Sequence, residues 1–336
     1  MADYQIFSLG DFPLESDMVL RDAKLAYKTY GELNARKTNA ILLCSWYTGT
    51  HVGYEFLIQP GRCFDPAKYF VIATNMFANG LSSSPNNTPK PLAGPHFPAI
   101  AIRDNVRAQY QLVTKQFALE KLVMVAGYSM GAQQSFQWGI SYPDMVERIA
   151  PWCGAARTTP HTHVFIEGFT GALKADAAWN GGYYQEQPDR GLRAMARVYA
   201  GWGFSQTWYR QELYQEFGSP SVEDFLVAFW ENFFLQGDAN NFLSQAKTWQ
   251  THNVGLSPGF NGDYKKALAS VKAKAVVMPG QTDLYFPPED NAAEVACMPN
   301  AVLRTIPSIW GHFAGFGVNS TDTEFIDRAI KECLAT

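Results

Sequence analysis

Nothing in this chain of 336 residues is long and apolar enough to cross a bilayer, which takes about 20 consecutive apolar residues. The opening stretch, MADYQIFSLGDFPLE, lacks the cationic start and apolar run of a signal peptide. Cysteine is scarce: the five residues Cys44, Cys63, Cys153, Cys297 and Cys333 are odd in number, scattered, and free of CxxC spacing. That excludes a disulfide framework and a thiolate zinc ribbon. Free thiols without an export signal lead us to expect a cytoplasmic protein, in which the glycosylation spacing Asn319-Ser320-Thr321 carries no meaning. Charge of one sign is also missing. A net charge of −4, a pI near 5.9 and no basic run leave no electrostatic footprint for nucleic acid or for an anionic membrane. Internal repeats and low-complexity tracts are absent too.

What the chain does have is apolar residues (47%) and aromatics (14%), many of the latter in its middle third. Short β-branched runs alternate with helical patterns, which predicts an α/β fold with a largely parallel sheet. Strands are expected at Ala40–Cys44, Tyr69–Thr74, Lys121–Ala126, Val146–Trp152, Ala273–Met278 and Ala301–Ile306. Val19–Tyr30 alternates apolar and polar side chains, as antiparallel strands at a sheet edge do. A helix is expected over Arg103–Leu119, with Asp104 at its start, and another after the capping box Thr321-Asp322-Thr323-Glu324. Asn79–Pro98, rich in Pro, Ser and Asn, reads as a long surface loop. From about 155 to 265 the strand–helix rhythm stops and amphipathic helices take over. The division that follows is a core of residues 1–154 and 266–336 with a helical lid, 155–265, inserted. Within the lid, Val222–Leu235 carries a wide aromatic stripe, suited to the lid's own core and, as alternatives, to a dimer interface or an acyl pocket.

The strongest chemical signal is Gly127-Tyr128-Ser129-Met130-Gly131, a GxSxG between the strand KLVMVA and the helical run MGAQQSFQWGIS. A serine thrust out on a sharp strand-to-helix turn leaves no room for side chains on either flank, hence the glycines; this is the nucleophile elbow of the α/β-hydrolase fold. Serine needs a base. Chain order in that fold is serine, acid, histidine, and of six histidines only His312, after the last strand, lies late enough. Asp283, in the loop after AKAVVM, is the acid that would hold the imidazole in its accepting tautomer. Glu289 and Asp290 follow two prolines and are expected to open a helix. The oxyanion donors should be the Met130 N–H, at the helix start, and the Tyr47 N–H, in the loop after Ala40–Cys44. His51 is expected to wall the site. His161 and His163 have an HxH spacing but no third ligand in place, so no metal is expected. His96 and His252 read as loop residues.

These residues stand among longer motifs: LAYKTYGELN, Pro60-Gly61-Arg62-Cys63-Phe64-Asp65 with KYFVIATN, FPAIAIRDNVRAQ, GYSMGAQQSFQWGISYPD, GLRAMARVYAGW, TDLYFPPED and SIWGH. In that order, over most of the chain, they resemble the homoserine O-acetyltransferase branch of the α/β-hydrolases. The resemblance implies an α/β-hydrolase fold with a helical lid, the Ser129–Asp283–His312 triad and the Tyr47 and Met130 oxyanion donors. It implies no cofactor, with acetyl-CoA or another acyl-CoA as co-substrate if the enzyme is a transferase. It also suggests that lid helices pair two subunits. Two departures bear on the acceptor. Phe313 stands where the branch has an aspartate after the catalytic histidine, and Gly203-Phe204-Ser205-Gln206 replaces a Thr-Tyr-Arg-Ser run. Arg197 matches an arginine associated with the acceptor's carboxylate.

The expectation is therefore a serine-dependent acyl-transfer enzyme on a small acyl substrate, with Trp46, Phe204, Phe313 and Arg197 as substrate-contacting side chains. A hydrolase of an ester or related compound is favoured. The alternatives are an O-acyltransferase using an alcohol other than homoserine, and a non-catalytic ligand-binding protein on the same scaffold, which an intact triad disfavours.

Overall fold

The computed structural model describes residues 3–336; Met1 and Ala2 of the opening stretch lie outside it. Its strands are β1 (Gln5–Pro13), β2 (Val19–Tyr30), β3 (Ala40–Cys44), β4 (Phe70–Thr74), β5 (Met124–Tyr128), β6 (Arg148–Trp152), β7 (Lys274–Val277) and β8 (Ala301–Leu303). They form one 8-stranded sheet in the order β1-β2-β4-β3-β5-β6-β7-β8. β1, β2 and β4 pair antiparallel; from β4 to β8 every neighbour is parallel. All residues of β3, β4 and β5 are buried, as central strands covered by helices on both faces must be.

The differences from expectation have local causes. β1 is not foreseen because most of it is exposed and its pairing is broken by register shifts around Gly10, which blurs the alternation. The outer edge is therefore β1, with β2 one strand in. The run expected from Lys121 enters the ladder only at Met124, Leu122 making an isolated bridge to Val146. The Arg103–Leu119 helix is Ile102–Gln111 followed by a π-helical turn, Leu112–Gln116, and the Asp104 carboxylate accepts from the Ala101 N–H (2.8 Å). Asn319, not Thr321, caps the last helix, Ser320–Leu334, its side chain accepting from Asp322 N–H. The 79–98 loop is buried along Ser82–Ser84, where Ser82 and Ser83 Oγ accept from the Ala26 and Lys24 N–H groups of β2. Its polar side chains serve a strand's backbone, not water.

Between β6 and β7 the described residues form no named strand. The chain leaves the core through a backbone neck, Thr158 N–H to His252 C=O (2.8 Å) and Val254 N–H to Ala156 C=O (3.1 Å). Beyond it run the helices Pro160–Lys174, Asp189–Gly203 and Ala239–Gln250, with Val222–Leu235 as helical pieces around a π-helical stretch, Leu226–Glu231. The boundary expected at 265/266 falls inside the helix Tyr264–Ala269; the neck lies earlier. No helix among the described residues is long and apolar enough to cross a membrane.

Beneath the neck sits a buried carboxyl. Glu294 accepts from Ala156 N–H (2.8 Å), Tyr264 O–H (2.9 Å) and Asn291 Nδ2 (2.7 Å), and burial pushes its pKa up to about 7. A folded-state pKa above the unfolded value contributes stability that is complete below about 4.5 and is lost as pH rises through 7. The size is on the order of 3 kcal/mol for a shift of this kind. Urea unfolding of the wild type and Glu294→Gln across pH 5–8 should show their difference in stability changing over that window. Parallel curves would refute the assignment.

Candidate active site

Ser129 follows the C-terminal end of β5, at φ 57° and ψ −121°, a region costing roughly 1–3 kcal/mol for a residue with a Cβ. Close packing holds it there. A Cβ on Gly131 would lie 2.1 Å from the Cys44 carbonyl oxygen and 2.8 Å from the Tyr54 hydroxyl. That same hydroxyl donates to Cys44 C=O (2.5 Å) and accepts from Tyr128 N–H (2.9 Å), clamping the elbow to the end of β3. The helix Met130–Ser141 begins at once, so its positive end faces the serine.

Ser129 Oγ is 3.0 Å from His312 Nε2, and His312 Nδ1 is 2.7 Å from Asp283 Oδ2. The other Asp283 oxygen accepts from Tyr285 N–H (2.8 Å) and Phe286 N–H (3.1 Å), which fixes the carboxylate's plane. All three side chains are buried. Asp283 lies in the loop after β7 and His312 in a short 3₁₀ turn, Gly311–Gly315, before the last helix. Glu289 and Asp290 sit in the first turn of the helix Pro288–Val295, away from the triad. The Met130 N–H, at the helix start, and the Tyr47 N–H, after β3, make no hydrogen bond to another described residue; both remain available as donors.

Several residues beyond the triad and the oxyanion donors support this array. Tyr128, between the glycine and the nucleophile, donates its O–H to His312 C=O (3.1 Å) and lays its ring against the imidazole (centroids 4.7 Å). Thr282 Oγ1 donates to Ser308 C=O and accepts from Gly311 N–H, tying the acid loop to the histidine loop. Gln245, from the helix Ala239–Gln250, accepts from Thr48 N–H (2.9 Å) and so steadies the peptide beside Tyr47. Tyr128 stands inside the elbow motif, whose spacing leaves its position open to any residue. Thr282 opens the TDLYFPPED motif and Gln245 stands in no motif; the partners of both are brought close only by the fold.

Beside the serine lies a cavity of about 170 Å³. Tyr47, Trp46, Tyr199, Trp230 and Phe313 are among its walls, and among the described residues no Asp, Glu, Lys or Arg lines it. The aromatic stripe of Val222–Leu235 divides its duties. Phe225 packs inward, while Phe229, Trp230, Phe233 and Phe234 reach the cavity, helped by the extra residue per turn of the π-helical stretch.

Trp46 and Phe313 thus line the cavity; Phe204 and Arg197 do not. Phe204 is fully buried one layer behind, stacked on Phe313 with centroids 4.3 Å apart. Gly203 permits this, since a Cβ there would meet the Trp230 ring at 2.6 Å and Phe313 at 3.1 Å. Arg197 is turned to the lid's outer side, its guanidinium shared between Glu231 (2.6 Å) and Glu223 (2.5 Å). Two carboxylates already satisfy it, so no free cation faces the serine. His51 is not on the cavity wall either; it is held between Asn75 (3.1 Å) and Asp3 (3.2 Å). His161 packs on Trp202 and His163 is exposed, and the described residues hold no cluster of three His, Cys, Asp or Glu side chains. His252 is buried rather than a plain loop residue; burial lowers its pKa to about 3, so it is neutral in the fold.

Known proteins share this architecture. Residues 39–317 match the model of the alpha/beta hydrolase fold family. The chain is 37% identical to an ethyl acetate hydrolase of Pseudomonas veronii, over 99% of this chain and 96% of that one. It is 31% identical to a homoserine O-acetyltransferase of Chlorobaculum parvum, over 97% of this chain and 92% of that one. The crystal structure of an acetylester hydrolase from Corynebacterium glutamicum superposes with a TM-score of 0.96 at 39% identity, covering 99% of this chain and 96% of its own. By fold, triad geometry and sequence, this chain is an enzyme of the alpha/beta hydrolase family, on the branch it shares with the homoserine O-acetyltransferases.

Proposed function

We propose that this protein is a serine ester hydrolase acting on small, uncharged esters with short acyl groups. The observation that carries it is a hydrogen-bonded Ser129–His312–Asp283 array opening on a small cavity with aromatic walls and, among the described residues, no Asp, Glu, Lys or Arg. The named activities of the ethyl acetate hydrolase and the acetylester hydrolase support it.

Ser129 Oγ attacks the ester carbonyl carbon while His312 Nε2 takes its proton. The carbonyl oxygen becomes an oxyanion held by the Tyr47 and Met130 N–H groups. The carbon–alkoxy bond breaks, His312 protonates the departing alcohol, and an acyl-enzyme on Ser129 remains. His312 then deprotonates a water, which attacks the acyl carbon; the carboxylic acid leaves and Ser129 regains its proton. Asp283 holds the imidazole tautomer and stabilises the imidazolium in both halves. No group beyond these side chains and water enters the balance. The helices between residues 155 and 265 serve as the lid, contributing Tyr199 and the Phe229–Phe234 face to the acyl wall.

Transfer to homoserine shares the first half-reaction, but the acceptor's ammonium and carboxylate would enter an aromatic cavity with no charged partner. Desolvating an unpaired charge costs several kcal/mol.

The test is steady-state hydrolysis of ethyl acetate, butyrate and hexanoate, with acyl-enzyme followed by intact mass. We expect kcat/KM to fall as the acyl chain lengthens, and turnover in water alone. Turnover only when an alcohol is added, or an adduct that persists in Ser129→Ala, would overturn the proposal.

A further inference from the structure

A second cavity, about 280 Å³, adjoins the catalytic one and shares two of its walls, Thr48 and Phe233. Its chemistry is the opposite. Asn79, Asn86, Asn241, Gln236 and Gln245 line it, with the backbone at Gly80 and Gly237. Among the described residues no Lys, Arg or His lines it, and its one carboxylate, Asp238, is already hydrogen-bonded through both oxygens. Asp238 Oδ2 accepts from Tyr184 O–H (2.8 Å) and Gln187 Nε2 (3.0 Å), and Oδ1 caps the helix through Asn241 N–H. A ligand here meets mainly amides, beside a single carboxylate whose oxygens are already engaged.

One of those amides is left wanting. Gln245 is 1% exposed; its Oε1 accepts from Thr48 N–H, while its Nε2 is buried with no acceptor among the described residues. An orphaned buried donor costs about 1–3 kcal/mol, which a ligand oxygen would recover. Thr48 directly follows Tyr47, so the orphan stands one residue from an oxyanion donor. Phe233, 43% exposed despite its ring, sits where the two cavities meet.

Resting on the ester-hydrolase proposal above, we infer that the polar cavity is the alcohol-side subsite, built for an uncharged alcohol bearing further hydroxyl groups, such as a glycerol-like polyol. An acyl group held among Tyr199, Trp230 and Phe234 leaves the alkoxy oxygen near His312, and the rest of the alcohol passes Phe233 and Thr48 into the amide-lined space. Hydroxyls both donate and accept, which is what Asn and Gln side chains complement. A carboxylate would lose its hydration there without gaining a counter-charge.

The experiment compares glycerol 1-monoacetate with propyl acetate, which has the same carbon skeleton and acyl group but no free hydroxyls. One or two net hydrogen bonds of about 1 kcal/mol each predict kcat/KM roughly 5- to 30-fold higher for the monoacetate, mostly through KM. The surface-facing pair Asn86→Ala/Gln236→Ala, which removes two side chains that hold no other element in place, should bring the ratio toward one; Phe233→Trp, crowding the passage, should lower the monoacetate's advantage through KM. Propyl acetate hydrolysed as well as or better than the monoacetate overturns the subsite while leaving the ester-hydrolase proposal standing. A ratio unchanged in the folded double variant does the same. Failure to hydrolyse either ester overturns both.

Discussion

Replacing His312 by alanine is expected to lower kcat by about 10⁴- to 10⁶-fold while KM changes little, because triad members act as a unit and substrate is held by other walls. Among the described residues the imidazole is the one side chain that hydrogen-bonds Ser129 Oγ, Nε2 at 3.0 Å, and it is enclosed by the rings of Tyr128 and Tyr285. Asp283→Asn should approach the same deficit, about 10⁴-fold, by a different route. The Oδ1 bonds to Tyr285 and Phe286 N–H groups keep the asparagine's oxygen in place, which turns its NH₂ toward His312 Nδ1. A donor there forces the proton onto Nε2, and the base can no longer accept from serine. Single-turnover kinetics with a short acetate ester check both. Loss of less than a hundredfold in either variant would mean that the array is not the catalytic one.

Phe313→Asp is expected to cost stability rather than to confer homoserine acetylation. Phe313 is 8% exposed, stacked on Phe204 (4.3 Å) and edge-on to Trp230 (5.5 Å). Removing a buried phenyl group costs about 3–5 kcal/mol, and the carboxylate would then sit among rings with no cation facing it. Arg197, the nearest thing to a partner in the sequence, is engaged with Glu223 and Glu231 on the lid's far side. Urea unfolding should show a loss of about 4 kcal/mol or more, with no acetyl-homoserine formed from acetyl-CoA. A stable variant that acetylates homoserine would show that one residue separates the two activities and that the cavity tolerates charge.

What the sequence determined by itself is what depends on neighbours along the chain. Ser129 was legible because the elbow's strand, flanking glycines and helix are contiguous, and β3 to β5 because short continuous apolar runs suit strands buried on both faces. Asp283 and His312 were legible through chain order within a fold, a constraint of topology that a one-dimensional reading can apply. The aromatic stripe of Val222–Leu235 was visible, yet which rings face the cavity was not, because the π-helical stretch shifts the register after Leu226. Arg197 and Phe204 looked like substrate contacts by position. Only the tertiary structure showed one neutralised by two glutamates and the other a layer deep behind Phe313. Gln245 illustrates the same limit from the other side. Its bond to Thr48 joins residues 197 apart in the chain, and its unpaired amide has meaning only in a cavity that two distant loops and a lid helix enclose together. The chemistry of the nucleophile is local and was read from the chain. The shape and polarity around it are sums over distant segments, and packing alone decided them.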